Sequence, residues 1–139
     1  MLPRAQRLNS REFAVVFENS RVLRHPLLQL RFYKHRENLP HAGKDGAQKS
    51  KRRAGETRAA FVAPKKLGNA VLRNAIRRKA RERYRIFREE AIRGRKWPVE
   101  LENCDLVFLA TAQCSTATSE QIDHSLAYLL KNAARKAAT

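Results

Sequence analysis

Between Asn69 and Gly94 the chain carries two helical stripes at once, and no other segment constrains the fold as strongly. Leu72, Ile76, Ala80, Tyr84, Phe87 and Ala91 are spaced by four, four, four, three and four residues, as one apolar face of a helix requires. Arg73, Arg77, Arg81, Arg85 and Arg88 repeat the spacing one residue later, a basic ridge rotated about 100° from the apolar face. From Lys65 to Arg88 there are ten Lys and Arg against a single acid, Glu82. Solvation of a surface helix does not ask for so one-sided a composition. A helix built this way lays one face on a core and offers the other to a polyanion.

Both ends of this helix are marked. Asn69 can cap its start, Gly94 follows the last periodic position, and Pro98 stands a few residues beyond, so a helix is predicted over 69–93. Just ahead of it, Lys65-Lys66-Leu67-Gly68-Asn69 places two ammonium groups beside the N–H groups and positive dipole end of the helix, an arrangement suited to phosphate. Arginine along the ridge adds a planar donor fork that binds phosphate bidentately and stacks on bases, which suits a folded RNA surface.

The rest of the composition agrees. A chain of 139 residues and 16.0 kDa is one domain, 1–139, and 42% hydrophobic residues are enough for a core. Thirty Lys and Arg against 13 Asp and Glu give a formal charge of +17, which repels itself unless a polyanion is near. No apolar run approaches the length of a membrane span and no signal-peptide core follows Met1, so the chain reads as cytoplasmic with no membrane association. Cys104 and Cys114 lack metal or disulfide spacing and read as reduced, buried thiols. His25, His35, His41 and His124 are scattered, and no nucleophile elbow, zinc-protease motif or phosphate loop is present. No catalytic residue and no metal ligand is assigned.

Around the central helix the sequence predicts further elements. Asn9 and Glu12 make a capping-box pattern, Leu8 can staple onto Phe13, and Phe13, Val16 and Phe17 share one face of a short helix over 8–19. Packed core or exposed aromatic surface both fit these phenylalanines. Leu27 to Tyr33 alternates, with Leu28, Leu30 and Phe32 on one side and Gln29, Arg31 and Tyr33 on the other, a half-buried strand. Residues 35–57 lose all periodicity and read as a mobile basic loop, either a phosphate-touching arm or a solvated insertion. Arg58 to Ala63 is a short strand ended by Pro64, and Asp105 to Thr111 an inner strand centred on Val107, Phe108 and Leu109. Thr118 and Gln121 cap a last helix whose inner stripe is Ile122, Leu126, Leu129, Leu130 and Ala133. Trp97 could stack on a base or cover the helix end.

The segment Lys65-Lys66-Leu67-Gly68-Asn69-Ala70-Val71-Leu72-Arg73-Asn74-Ala75-Ile76-Arg77-Arg78, with Arg81-Glu82, resembles the signature helix of the bacterial ribonuclease P protein component. Arg7, Leu8, Phe13 and Phe17 match that family's N-terminal pattern, and Asp105-Leu106-Val107 falls where its last strand begins. The resemblance implies a single compact α+β domain of order α-β-β-β-α-β-α, with a four-stranded, mostly antiparallel sheet packed with helices. It also implies a left-handed β-α-β crossover, where general rules favour the right-handed one. It further implies a protein subunit that binds the catalytic RNA subunit and the 5′ leader of precursor tRNA and promotes endonucleolytic removal of that leader. Mg2+ would be used by the RNA subunit, and no protein partner would be required.

By that resemblance, Lys65, Lys66, Asn69, Arg73, Asn74, Arg77, Arg78 and Arg81 contact the RNA subunit, and Phe13, Phe17 and Arg31 form the leader cleft. The family usually carries a basic residue after the Arg-Asn pair, and this chain has Ala75. The 35–57 loop has no counterpart role. A structural RNA-binding protein such as a ribosomal protein would share the charge and the lack of catalytic residues, and only the signature helix separates the two. A DNA-binding protein would need helix-turn-helix, zinc-finger or zipper spacing, and an autonomous ribonuclease would need paired His or clustered carboxylates. Neither pattern is found.

Overall fold

The computed structural model describes residues 20–34 and 57–137. The predicted N-terminal helix, with Phe13 and Phe17, and all but the last residue of the predicted loop lie outside the described residues. Four strands form one sheet: β1 (Arg21–Arg24), β2 (Leu28–Lys34), β3 (Arg58–Val62) and β4 (Cys104–Ala110), in the order β1-β2-β4-β3. Among the described residues two α-helices, α1 (Ala70–Arg93) and α2 (Ser119–Ala137), pack with this sheet in a mixed α+β domain. β1 with β2 and β2 with β4 are antiparallel, while β3 and β4 are parallel. Parallel neighbours need a long crossover. α1 lies within the one between β3 and β4.

Pleating sorts the side chains. Leu28, Leu30 and Phe32 share a face with Ala59, Phe61, Leu106, Phe108 and Ala110. Ile76 and Tyr84 of α1 and Ile122, Leu126, Leu129, Leu130 and Ala133 of α2 join them in one core. Phe61 stacks on Phe108 at 5.2 Å and meets Tyr84 edge-on at 5.5 Å. Trp97 meets Tyr84 edge-on at 6.3 Å, so it covers the helix end. The opposite face carries Val22, Arg31, Tyr33, Val107 and a buried pair, Arg58 and Asp105. Those two are direct partners in the β3–β4 register, joined by bonds of 3.0 and 2.9 Å.

Among the described residues, the predicted strands and helices are present within a residue or two of their predicted ends. β1 was not read from local pattern: Arg-Val-Leu-Arg has only two apolar residues, too few to show alternation, and pairing with β2 makes it a strand. Thr57, predicted at the end of the loop, is instead buried, with its hydroxyl donating to Leu101 O at 2.8 Å. Cys104 and Cys114 are buried and form no disulfide, and burial pushes the Cys114 thiol up from its ordinary value. Among the described residues no helix is long and apolar enough to cross a membrane.

Candidate RNA-contact surface

α1 starts where the sequence expects. The Asn69 side chain accepts from Leu72 N–H at 2.9 Å, closing the first turn. At the other end Gly94 is the cap residue, but the left-handed position is Arg95, with φ 58°. Lys96 N–H reaches Ala91 O at 2.7 Å and Arg95 N–H reaches Ile92 O at 3.0 Å, the paired bonds that close a helix C-terminus.

The two stripes are not straight. A helix of 3.6 residues per turn advances about 40° with each step of four, so residues at that spacing wind around the axis. Ile76, Ala80 and Tyr84 are buried as expected, but Leu72 is 39% exposed, and Phe87 and Ala91 are only half-buried. The basic ridge winds likewise. Arg73 is half-buried, its Nε donating to Ala63 O at 2.9 Å. Arg88, predicted on the open ridge, is in the interior: it donates to Thr57 O at 2.7 Å and lies 5.2 Å from the centre of the Trp97 ring. The step of three between Arg85 and Arg88 turns that guanidinium back toward the core.

The remaining candidates line the first half of α1 and its approach. Lys65 and Lys66 are exposed on a one-turn 3-10 helix, Lys65–Leu67. Gly68 links that turn to Asn69 with φ 145°, a backbone conformation that strains any other residue, and a Cβ there would come within 2.7 Å of Leu72 Cδ2. Asn74 is exposed and accepts a hydrogen bond from half-buried Arg77; Arg78 is exposed and Arg81 half-buried. Ala75 is exposed, so packing does not demand alanine there. Arg31 lies on the sheet face opposite α1, between Val22 and Val107 in the register. The structure thus brings together the eight residues from Lys65 to Arg81 and sets Arg31 apart from them.

Sequence reasoning missed Gly68 as a structural hinge, although its place inside Lys-Lys-Leu-Gly-Asn was a signal. It also missed Lys79, whose ammonium donates to Ala117 O, and Arg83, whose guanidinium binds Asp123 with bonds of 3.0 and 2.6 Å. Both tie α1 to the segment of α2. Among the described residues no group of three or more His, Cys, Asp or Glu converges as a metal site.

A four-stranded sheet with one parallel pair, bridged through a basic helix, defines a small RNA-binding α+β domain. The family model for Ribonuclease P matches residues 2–134. The ribonuclease P protein component of Herpetosiphon aurantiacus is 32% identical over 133 residues, covering 95% of this chain and 87% of that protein. Among solved structures, the Staphylococcus aureus RNase P protein superposes with a TM-score of 0.63 at 22% identity, covering 94% of this chain and 96% of that one. The Thermotoga maritima RNase P protein superposes with a TM-score of 0.61 at 21% identity, covering 91% and 96%. The chain belongs to the ribonuclease P protein family. Its role is therefore in an endoribonuclease complex of tRNA processing.

Proposed function

We propose that the first half of α1 and the Lys65–Leu67 turn grip the catalytic RNA subunit, and that the domain then holds the 5′ leader of precursor tRNA while the RNA removes it. One observation carries this reading. Lys65, Lys66, Arg77, Arg78 and Arg81 lie on one continuous stretch and form no ion pair with a carboxylate among the described residues. Such cations displace the counterions condensed on RNA, and that release drives binding. The cleavage chemistry and its Mg2+ belong to the RNA subunit; this chain contributes charge and orientation. For the leader, Arg31 supplies a guanidinium for phosphate and Phe13 and Phe17 supply stacking faces.

The test is reconstitution. Purified protein, RNA subunit and precursor tRNA are combined at low magnesium, and leader removal is followed with each component omitted in turn. Cleavage should require the RNA and be accelerated by the protein. Arg77→Ala with Arg78→Ala should weaken RNA binding and lower the slope of log affinity against log salt by about 2, with an unchanged melting point. A variant pair that binds the RNA as tightly as the parent protein would sink the assignment. RNA binding without any effect on cleavage would favour a purely structural RNA-binding role.

A further inference from the structure

A second site lies beyond the basic ridge, where the β1–β2 turn, the turn following β4 and the first residues of α2 line an open cavity of about 400 Å³. Leu27 forms an apolar wall, and His25, Gln113, Thr116, Gln121 and His124 supply the polar lining. Among the described residues no Lys, Arg, Asp or Glu lines it. Two imidazoles, two carboxamides and a hydroxyl are groups that read the donor and acceptor edge of a nucleobase. The cavity is also large enough for one nucleoside.

Beside the lining, the Tyr128 ring meets that of His25 with centres 5.5 Å apart. Tyr128 is 52% exposed, well beyond what core packing would leave, and it stands one turn along α2 from exposed His124. His25 Nδ1 accepts from Leu27 N–H at 3.3 Å, which leaves the ring's proton on Nε2. Burial lowers the His25 pKa, so at neutral pH the ring is an uncharged platform with one donor. Gln121 spends its Oε1 on the Thr118 N–H and keeps its amide hydrogens for donation.

The cavity is joined to the basic helix. Lys79 of α1 donates to the carbonyl of Ala117, which is itself part of the lining, so a cation from α1 stands at the rim. Lys79 follows Arg77 and Arg78 directly in sequence. On the helix Lys79 is rotated about 100° from Arg78, so a strand whose phosphates lie along the first half of α1 reaches this opening by wrapping around α1 toward the α2 side.

We infer that the cavity takes one unpaired nucleotide of an RNA strand, its base seated among His25, Gln113, Gln121 and His124 and flanked by Tyr128, with its phosphate toward Lys79. The inference rests on the proposed binding of RNA along α1 and adds to it a base-reading site on the α2 side.

The test uses the full chain bound to the RNA subunit, with precursor tRNA present in a second arm. After ultraviolet irradiation and tryptic digestion, fragmentation should place a nucleotide adduct at His124 or Tyr128, within the peptide from Trp97 to Lys131. The sequence of the attached nucleotides tells which RNA supplied the strand. Gln113→Ala with His124→Ala, both at exposed positions, should reduce RNA affinity by about tenfold, the effect of losing one held base, while leaving the melting point unchanged. Unchanged affinity in that variant, or adducts found only at residues other than His25, Gln113, Gln121, His124 and Tyr128, overturns the inference. If Arg77→Ala with Arg78→Ala still weakens binding in that event, the reading of α1 stands without this site. If the parent protein binds neither RNA, both fall together.

Discussion

From Lys65 to Arg81 the cations of α1 and its approach meet no carboxylate among the described residues, whereas from Glu82 to Arg93 most guanidiniums are already engaged. Arg83 is bound by Asp123, Arg85 by Glu82 and Glu89, and Arg88 by the Thr57 carbonyl and the Trp97 ring. Both halves are basic, but the fold engages Arg83, Arg85 and Arg88 of the second, while of the first it ties down Arg73 and Lys79 to carbonyls and leaves Lys65, Lys66, Arg78 and Arg81 without a side-chain hydrogen bond or ion pair among the described residues. Charge counted along the sequence overstates the surface offered to RNA, because it treats an arginine that holds the core together like one that faces a phosphate. Stability and RNA affinity should therefore respond in opposite orders as substitutions move from the engaged set to the open one.

The largest loss of stability belongs to the most interior guanidinium. Asp105→Ala would leave Arg58 buried on the sheet without its bidentate partner. Removing one partner of a buried pair costs about 4 kcal/mol, measurable as a lower urea midpoint at unchanged slope. A loss below about 1 kcal/mol would mean that water reaches the pair, and the contrast between engaged and open arginines would weaken.

Arg88→Ala comes next. It removes a charged donor from Thr57 O and a cation from the face of Trp97, together about 3 kcal/mol. The RNA salt slope should stay where it was, since Arg88 is not on the surface. A reduced slope with unchanged stability would return Arg88 to the open ridge.

Gly68→Ala tests the hinge between the exposed lysine turn and α1. At φ 145° an alanine is strained, and its Cβ would strike Leu72, so about 2 kcal/mol should be lost. Relief of that backbone strain would shift the Lys65–Leu67 turn, and RNA affinity should fall as well. This is the one substitution expected to lower both quantities. A circular dichroism melt beside an RNA titration checks it.

These cases show what the sequence made legible. Asn69, Gly94, Thr118 and Gln121 announce helix ends because capping is local, set by residues three or four apart. The inner faces of β2 and α2 were legible because period two and period 3.6 each mark one side. Arg88 was misplaced because a spacing of four marks a winding line, and only the position of the sheet decides where that line goes under. The Arg58–Asp105 pair spans 47 residues, and nothing in either neighbourhood points to the other. The cavity beside His25 escaped notice for the same reason: its lining comes from a hairpin turn, a loop after β4 and a helix start, brought together only by the sheet. Phe13 and Phe17, which the resemblance places in the leader cleft, lie outside the described residues.

The smallest effect lies at the boundary between the two halves, where Glu82 holds Arg85 back from the ridge. The hydrogen bond and charge of Arg85 keep the Glu82 carboxyl below its ordinary value of 4.5. A carboxyl whose pKa is lowered by folding adds stability that is fully present above its unfolded value and is lost as pH falls through the folded one. The Glu82–Arg85 contribution should thus be complete at neutral pH and disappear only in acid below 4.5. Glu82→Gln removes that acid-sensitive part and, at neutral pH, leaves Arg85 with Glu89 as its remaining carboxylate partner. The guanidinium then becomes more available to a phosphate, and RNA affinity should rise about twofold at low salt, with the gain fading as salt screens it. Parallel titrations of parent and variant at two salt concentrations decide the matter. A lower affinity in the variant would show that the pair positions the ridge rather than limiting it, and the boundary would have to be redrawn at Arg85.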